Sequence, residues 1–211
     1  MKIAVLGGSF NPIHMGHLHL AHSVLSLCAY DRIIIVPANI SPFKQNQKEC
    51  PGKKNQGQTS FASSRDRLDM IAASIKSDPR IIIDDLELQR GGVSYTIDTI
   101  KEIKSRYGPS GKPGLVLGDD LVPDFFKWKN ADELSRIADI IIARRHTSSQ
   151  KGESIPDFPY PHKVLKNELM DISSALVREY IESGISWQHL VPEGARCIIQ
   201  ERGLFLSCNM I

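Results

Sequence analysis

The stretch Gly7-Gly8-Ser9-Phe10-Asn11-Pro12-Ile13-His14-Met15-Gly16-His17-Leu18 decides how this 211-residue chain is read. It follows Ile3-Ala4-Val5-Leu6, an apolar run of the kind a buried first strand presents. Downstream, Leu18, Ala21, Val24, Leu25 and Cys28 recur at the spacing of one helix face. The two leading glycines permit a tight strand-to-helix turn and let a ligand approach the backbone closely. Free N–H groups at the helix start then form an anion site. His14 and His17 are three residues apart, so they share one side of the first helical turn. Histidines there can simply cap or pack. Beside a glycine-rich anion site, however, imidazoles also supply donors for phosphate oxygens and for the charge of a transferring phosphoryl centre. The combination predicts a nucleotide site.

Strand and helix signals alternate beyond this turn, which predicts an α/β fold with a mostly parallel sheet covered on both faces. Arg32-Ile33-Ile34-Ile35-Val36 reads as a second strand and Ile81-Ile82-Ile83 as a third, with an extended continuation to residue 88. Leu115-Val116-Leu117 and Asp139-Ile140-Ile141-Ile142-Ala143 read as a fourth and a fifth, and Val164-Leu165 as an added edge strand. A helix over 62–77 places Leu68, Ile71, Ala72 and Ile75 on its inner face. Another over 96–107 turns Ile97, Ile100 and Ile103 inward and stops at Gly108-Pro109. A helix over 173–183 has Ser173 as N-cap and Gly184 at its end, and a last one covers about 192–201. The polar segment 45–60 reads as a surface loop.

Composition narrows the function. A net charge of +2 with no face of clustered Arg and Lys argues against nucleic-acid binding, Lys53-Lys54 being only a short basic spot. No stretch reaches the roughly 18 apolar residues of a membrane span. Cys28, Cys50, Cys197 and Cys208 form no C-x-x-C pair and read as free thiols, which fits a cytoplasmic protein. His19 and His22 read as solvated surface histidines rather than metal ligands, and Trp187 as a packing residue. No metal ligand set is expected.

The turn lacks the Gly-Lys-Ser/Thr ending of a Walker A loop, and no G-x-G-x-x-G is present. A second constellation is Asp171-Ile172-Ser173-Ser174-Ala175-Leu176-Val177-Arg178. Ser174 and Arg178, four apart, share a helix face. Ser173 opens another helix-start anion site, and a guanidinium fork one turn later suits phosphates. Such a stretch can equally be an ordinary capped surface helix.

The first motif, G-G-S-F-N-P-I-H-M-G-H-L, resembles the opening of the bacterial nicotinate-nucleotide adenylyltransferases. The second is similar to the I-S-S-x-x-x-R element near that family's C-terminus. Three further stretches share the resemblance: Ser94-Tyr95-Thr96 at a helix start, Gly118-Asp119-Asp120 after the fourth strand, and Phe125-Phe126-Lys127-Trp128-Lys129. The likeness spans residues 2–204. In Pro42-Phe43-Lys44, Phe43 stands where the family usually has histidine, and the insertion after Lys44 is a second departure. Arg67 occupies the family's arginine-then-methionine position, where surface salt-bridging is expected.

The resemblance implies a single domain over 1–211. Its fold would be Rossmann-like, with a five- or six-stranded parallel sheet and a small helical lobe from about 171. It implies transfer of adenylate from ATP to nicotinate mononucleotide, giving deamido-NAD and pyrophosphate, with Mg2+ carried by the ATP phosphates. His14, His17, Lys44 and Arg178 are then the expected catalytic groups. ATP would meet Gly7, Gly8, Ser9, Phe10, Gly118, Asp120, Ile172, Ser173 and Ser174 as well as His14, His17 and Arg178. The mononucleotide would meet Asn11, Lys44, Tyr95, Thr96, Trp128 and Lys129. Rival readings are an enzyme for the amide mononucleotide or another phosphate acceptor, and a non-catalytic nucleotide sensor. A homo-oligomer is compatible with the sequence.

Overall fold

Six strands build the centre of the computed structural model: β1 (Ile3–Gly8), β2 (Arg32–Pro37), β3 (Ile81–Ile83), β4 (Gly114–Gly118), β5 (Asp139–Ala143) and β6 (His162–Leu165). They form one sheet in the order β3-β2-β1-β4-β5-β6, every pair parallel. The structure describes residues 1–40, 42, 61–144 and 158–206. Phe43, Lys44, Cys50, Lys53, Lys54, Cys208 and the 45–60 segment lie outside the described residues.

Strand β1 pairs with β2 on one side and β4 on the other, Ala4 lying against both Ile33 and Gly114. The strand order reverses direction between β1 and β4. Ligands of open α/β sheets bind outside the carboxyl ends of strands at such a switch point. Both the glycine turn after β1 and Asp119-Asp120 after β4 sit there.

Strands buried on both faces must be apolar at every position, which is why they read as unbroken Ile/Val/Leu runs. Ala4, Leu6, Ile33, Ile35 and Ile141 face one layer. It is formed by helices α1 (Met15–Leu27), α2 (Ser64–Ile75), α6 (Ser174–Glu182) and α7 (Glu193–Arg202). Ile3, Val5, Ile34, Val36, Leu115 and Ile142 face the other, with α3 (Leu86–Arg90), α4 (Thr96–Tyr107) and α5 (Ala131–Ile137). Trp187 is buried in the first layer, as its packing role requires. Among the described residues no helix is long and apolar enough to cross a membrane, and Cys28 and Cys197 are free thiols.

Three expectations need correction. The extended continuation after β3 is helix α3: the Asp84 carboxylate accepts the Leu86 N–H at 3.0 Å and starts a helical turn, and Gly91 ends it at φ 69°. The alternation of Leu86 and Leu88 had imitated a strand. Helix α1 buries His17, Leu20, Ala21, Val24 and Leu25, so its inner face extends beyond the expected set to His17 and Leu20, with Leu18 and Cys28 partly buried against the same core. Helix α2 buries Arg67, Met70, Ile71 and Ile75, while Ala72 is exposed and Leu68 only half-buried. Its face is rotated by about one residue because a polar side chain, Arg67, is drawn inward.

Candidate active site

The turn after β1 is shaped by two close packings. Phe10 adopts φ 47°, a left-handed conformation costing a non-glycine residue roughly 1–2 kcal/mol. Its ring is 1 % exposed, and burying a Phe side chain contributes about 1.5–3 kcal/mol, which offsets that cost. The ring lies against Gly8, where an added Cβ would sit 3.1 Å from Phe10 Cζ. At Gly16 a Cβ would sit 3.1 Å from His14 Nδ1. These glycines make room for an aromatic ring each.

His14 is the N-cap residue of α1, and both histidines are buried, at 2 % and 8 % exposure. Their rings stack with centroids 3.7 Å apart and planes at 30°. The His14 N–H donates to His17 Nδ1 at 3.2 Å. With Nδ1 accepting, the ring proton of His17 belongs on Nε2, which is thereby set as a donor. The capping reading and the phosphate reading of His17 are therefore compatible, because the cap bond uses Nδ1.

The C-terminal motif closes onto the same turn across more than 160 residues of chain. Arg178 Nη1 donates to the Asn11 carbonyl at 2.6 Å, and Ser174 Oγ donates to the Pro12 carbonyl at 2.8 Å. Arg178 also lies 5.1 Å above the Phe61 ring. Burial pulls its guanidinium below the usual arginine value, yet arginine starts so high that it stays charged. Ser173 is the N-cap of α6, accepting the Leu176 N–H at 3.1 Å, as its residue type predicts. Among the described residues, Asn11 Nδ2 and Arg178 Nε are buried donors without a hydrogen-bond acceptor. Buried donors are nearly always satisfied. An acceptor-rich ligand at this turn would satisfy them.

An open cleft adjoins α1, lined by His14, Gly16, His17, His19, Arg144 and Ile172 among others. His19 is thus half-buried at the cleft wall rather than solvated as expected, whereas His22 is exposed beside Asp78 at 3.5 Å. The Arg144 main chain is held by Asn167, which accepts the Arg144 N–H at 3.2 Å and donates to its carbonyl at 2.8 Å.

The pyridine-side candidates gather on the other face of the switch point. Tyr95 precedes α4, and Lys129 Nζ lies 4.5 Å over its ring while pairing with Asp98 at 3.0 Å. Trp128 packs 5.2 Å from Phe125 and is half-buried, so its ring is both core edge and surface. Asp120 is exposed and Asp119 half-buried at the end of β4. Lys44 lies outside the described residues. Among the described residues no group of three or more His, Cys, Asp or Glu is arranged to hold a metal ion.

Sequence reasoning missed two polar side chains. Arg67 does not lie on the helix surface. It is 7 % exposed and donates to the carbonyls of Ser9 and Ala38, both at 2.8 Å. Glu87 is 6 % exposed and accepts from Thr99; burial pushes its carboxyl up, and the neighbouring Thr99 and Ser94 hydroxyls oppose the shift. The available signal was position: Arg67 one turn into a capped helix, and Glu87 shortly before Ser94-Tyr95-Thr96.

Comparison with known proteins agrees with this geometry. Residues 5–180 match the family model described as cytidylyltransferase-like. A probable nicotinate-nucleotide adenylyltransferase of Treponema pallidum is 35 % identical, over 98 % of this chain and all of that relative. The chain belongs to the nicotinate-nucleotide adenylyltransferase family. A Geobacillus thermodenitrificans member is 33 % identical over 97 % of this chain and 86 % of its own. The Plasmodium falciparum nicotinic acid mononucleotide adenylyltransferase, solved complexed with NaAD, shares the fold at a TM-score of 0.73. That match covers 97 % of each chain at 21 % identity.

Proposed function

We propose that this protein transfers the adenylyl group of ATP to the phosphate of nicotinate mononucleotide, forming deamido-NAD and releasing pyrophosphate. A phosphate oxygen of the mononucleotide attacks the α-phosphorus in line, and the bond to the bridging oxygen of pyrophosphate breaks. The attacking phosphate is already an anion, so no strong general base is needed. Rate acceleration comes from positioning and from donors aimed at developing charge.

The observation that carries this reading is the convergence of His14, His17 and Arg178 on one turn at the switch point. His17 Nε2–H donates to the phosphates, His14 packs against it and adds a second imidazole, and Arg178 holds the triphosphate. Gly7, Gly8, Ser9 and Phe10 supply turn backbone, and Ile172, Ser173 and Ser174 the α6 start. Tyr95, Thr96, Trp128 and Lys129 receive the pyridine nucleotide, with Asn11 between the two. Lys44 is assigned to phosphate by the family pattern alone.

The family works with a divalent cation and nucleotide together; here we read it as magnesium entering on ATP's phosphates. A hydrated hard cation suits single carboxylate contacts such as Asp119 and Asp120 rather than a closed cage. It neutralises phosphate charge as part of the substrate.

The test is pyrophosphate release from ATP with nicotinate mononucleotide, nicotinamide mononucleotide and phosphopantetheine as acceptors. The acid is expected to exceed the amide in kcat/KM by at least ~10-fold, the worth of one charge-assisted hydrogen bond. Preference for phosphopantetheine, or no pyrophosphate with any acceptor, refutes the assignment.

A further inference from the structure

Polar contacts, most of them partly buried, link the two substrate-facing turns. The run starts at the Ser9 carbonyl, which accepts from Arg67 Nη1, and the same nitrogen donates to the Ala38 carbonyl. The peptide bearing that carbonyl continues as the Asn39 N–H, which donates to Ser94 Oγ at 2.9 Å. Ser94 Oγ lies beside the Glu87 carboxylate, which accepts from Thr99 Oγ1, and Thr99 Oγ1 also reaches the Tyr95 carbonyl at 3.4 Å. Arg67, Ser94, Glu87 and Thr99 are all buried.

A trans peptide holds its C=O and N–H on opposite sides. Fixing the Ser9 carbonyl on Arg67 therefore turns the Phe10 N–H the other way, and the 38–39 peptide is pinned at both polar atoms. Asn39 Nδ2 donates to the Gly92 carbonyl, and the Ser94 N–H to the Ile40 carbonyl, both at 2.9 Å, so the stretch after β2 has little freedom. A fully satisfied buried network enforces one geometry. The choice of groups fits. The carboxylate of Glu87 accepts from the Thr99 hydroxyl, and one Arg67 nitrogen reaches two carbonyls that immediately follow β1 and β2.

We propose that Arg67 and Glu87 are positioning residues at the two ends of this network, and that together they set the spacing between the glycine turn and the Ser94-Tyr95-Thr96 turn. The proposal rests on reading those turns as the ATP and mononucleotide sites. Neither side chain touches a reacting atom. Each acts through the main chain it holds.

The experiment is a double-mutant cycle with Arg67→Met and Glu87→Gln, measuring kcat and both KM values, with amide hydrogen exchange on the same full-length proteins. Glu87→Gln keeps the volume but leaves one acceptor oxygen. It should raise KM for the mononucleotide ~10-fold and KM for ATP less than ~3-fold, the scale of one hydrogen bond to a charged group. Arg67→Met should lower kcat/KM for ATP by ~10-fold, and Arg67→Lys should recover part. The double variant should lose clearly less than the product of the two losses. A purely structural role would lower Tm without splitting the KM values. Losses that multiply to within ~2-fold, the limit of independence, overturn the coupling. If Arg67→Met does not fold, Arg67→Lys takes its place in the cycle. Amide exchange separates this proposal from the assignment of function, because it needs no turnover. Each variant should speed exchange of the Asn39 and Ser94 amides. Should the unmodified protein release no pyrophosphate, unchanged protection of those amides would by itself overturn the network.

Discussion

Helices α1 and α6 begin at the same turn, and they begin differently. At α6 the N-cap is Ser173, whose hydroxyl accepts the Leu176 N–H, and the second helical residue is Ala175. At α1 the N-cap is His14, the third helical residue His17 accepts the cap's own N–H through a ring nitrogen, and the second residue is Gly16. Serine caps and alanine interiors are what isolated helices favour. Histidine stacking and a glycine in the first turn are not. The difference teaches which helix start is built for stability and which gives some up to hold two rings in place.

The largest effect should come from separating the two nitrogens of His17. His17→Ala removes both the cap acceptor and the Nε2 donor. It should lose at least ~10²-fold in turnover, the usual cost of deleting one transition-state donor. His17→Asn places an amide oxygen near the position of Nδ1. It should restore the stability lost in His17→Ala while leaving turnover low. His17→Gln reaches the position of Nε2 and should regain part of the turnover. Steady-state pyrophosphate release and thermal unfolding of the three variants check this. Equal turnover in His17→Asn and the parent protein would show that the histidine serves the helix alone.

This contrast also marks what the sequence made legible. The sheet was readable because strands buried on both faces leave no polar residue to confuse the period, as in Ile33-Ile34-Ile35-Val36. The cap at Ser173 was readable because residue type and position agree. His14 and His17 were readable as a pair, but not their division of labour, which depends on a main-chain N–H that no sequence pattern encodes. Arg67 was misplaced because buried arginines are rare and the helix around it offers a good apolar face one residue away. Glu87 was hidden by an alternation that local capping from Asp84 overrides. In both cases a polar side chain was buried for a contact more than ten residues distant, and spacing arguments see only neighbours.

Gly16 offers the next largest effect. In Gly16→Ala the new methyl would meet the His14 ring at 3.1–3.2 Å, so the ring must shift by a few tenths of an ångström. Alanine meanwhile favours the helix by up to ~1 kcal/mol. Turnover should fall several-fold while Tm holds or rises. Ala175→Gly is the mirror experiment at α6, where the side chain is exposed. It should cost up to ~1 kcal/mol of stability and leave turnover unchanged. A Gly16→Ala enzyme of normal turnover would mean that the exact seat of His14 does not matter.

The smallest effect tests whether α6 faces the nucleotide at all. Ser173→Ala removes a hydroxyl cap and should cost about 1 kcal/mol, or roughly 2–4 °C in Tm for a chain of this size. Ser173→Asp keeps a good cap and should recover that stability, but it sets a negative charge at the helix start. If this helix start receives phosphate, the added charge competes with it and KM for ATP rises even though the protein is as stable as the parent. If KM for ATP follows stability instead, falling back to normal in Ser173→Asp, then α6 only braces the turn. Arg178 would then be the sole member of its motif to meet ATP.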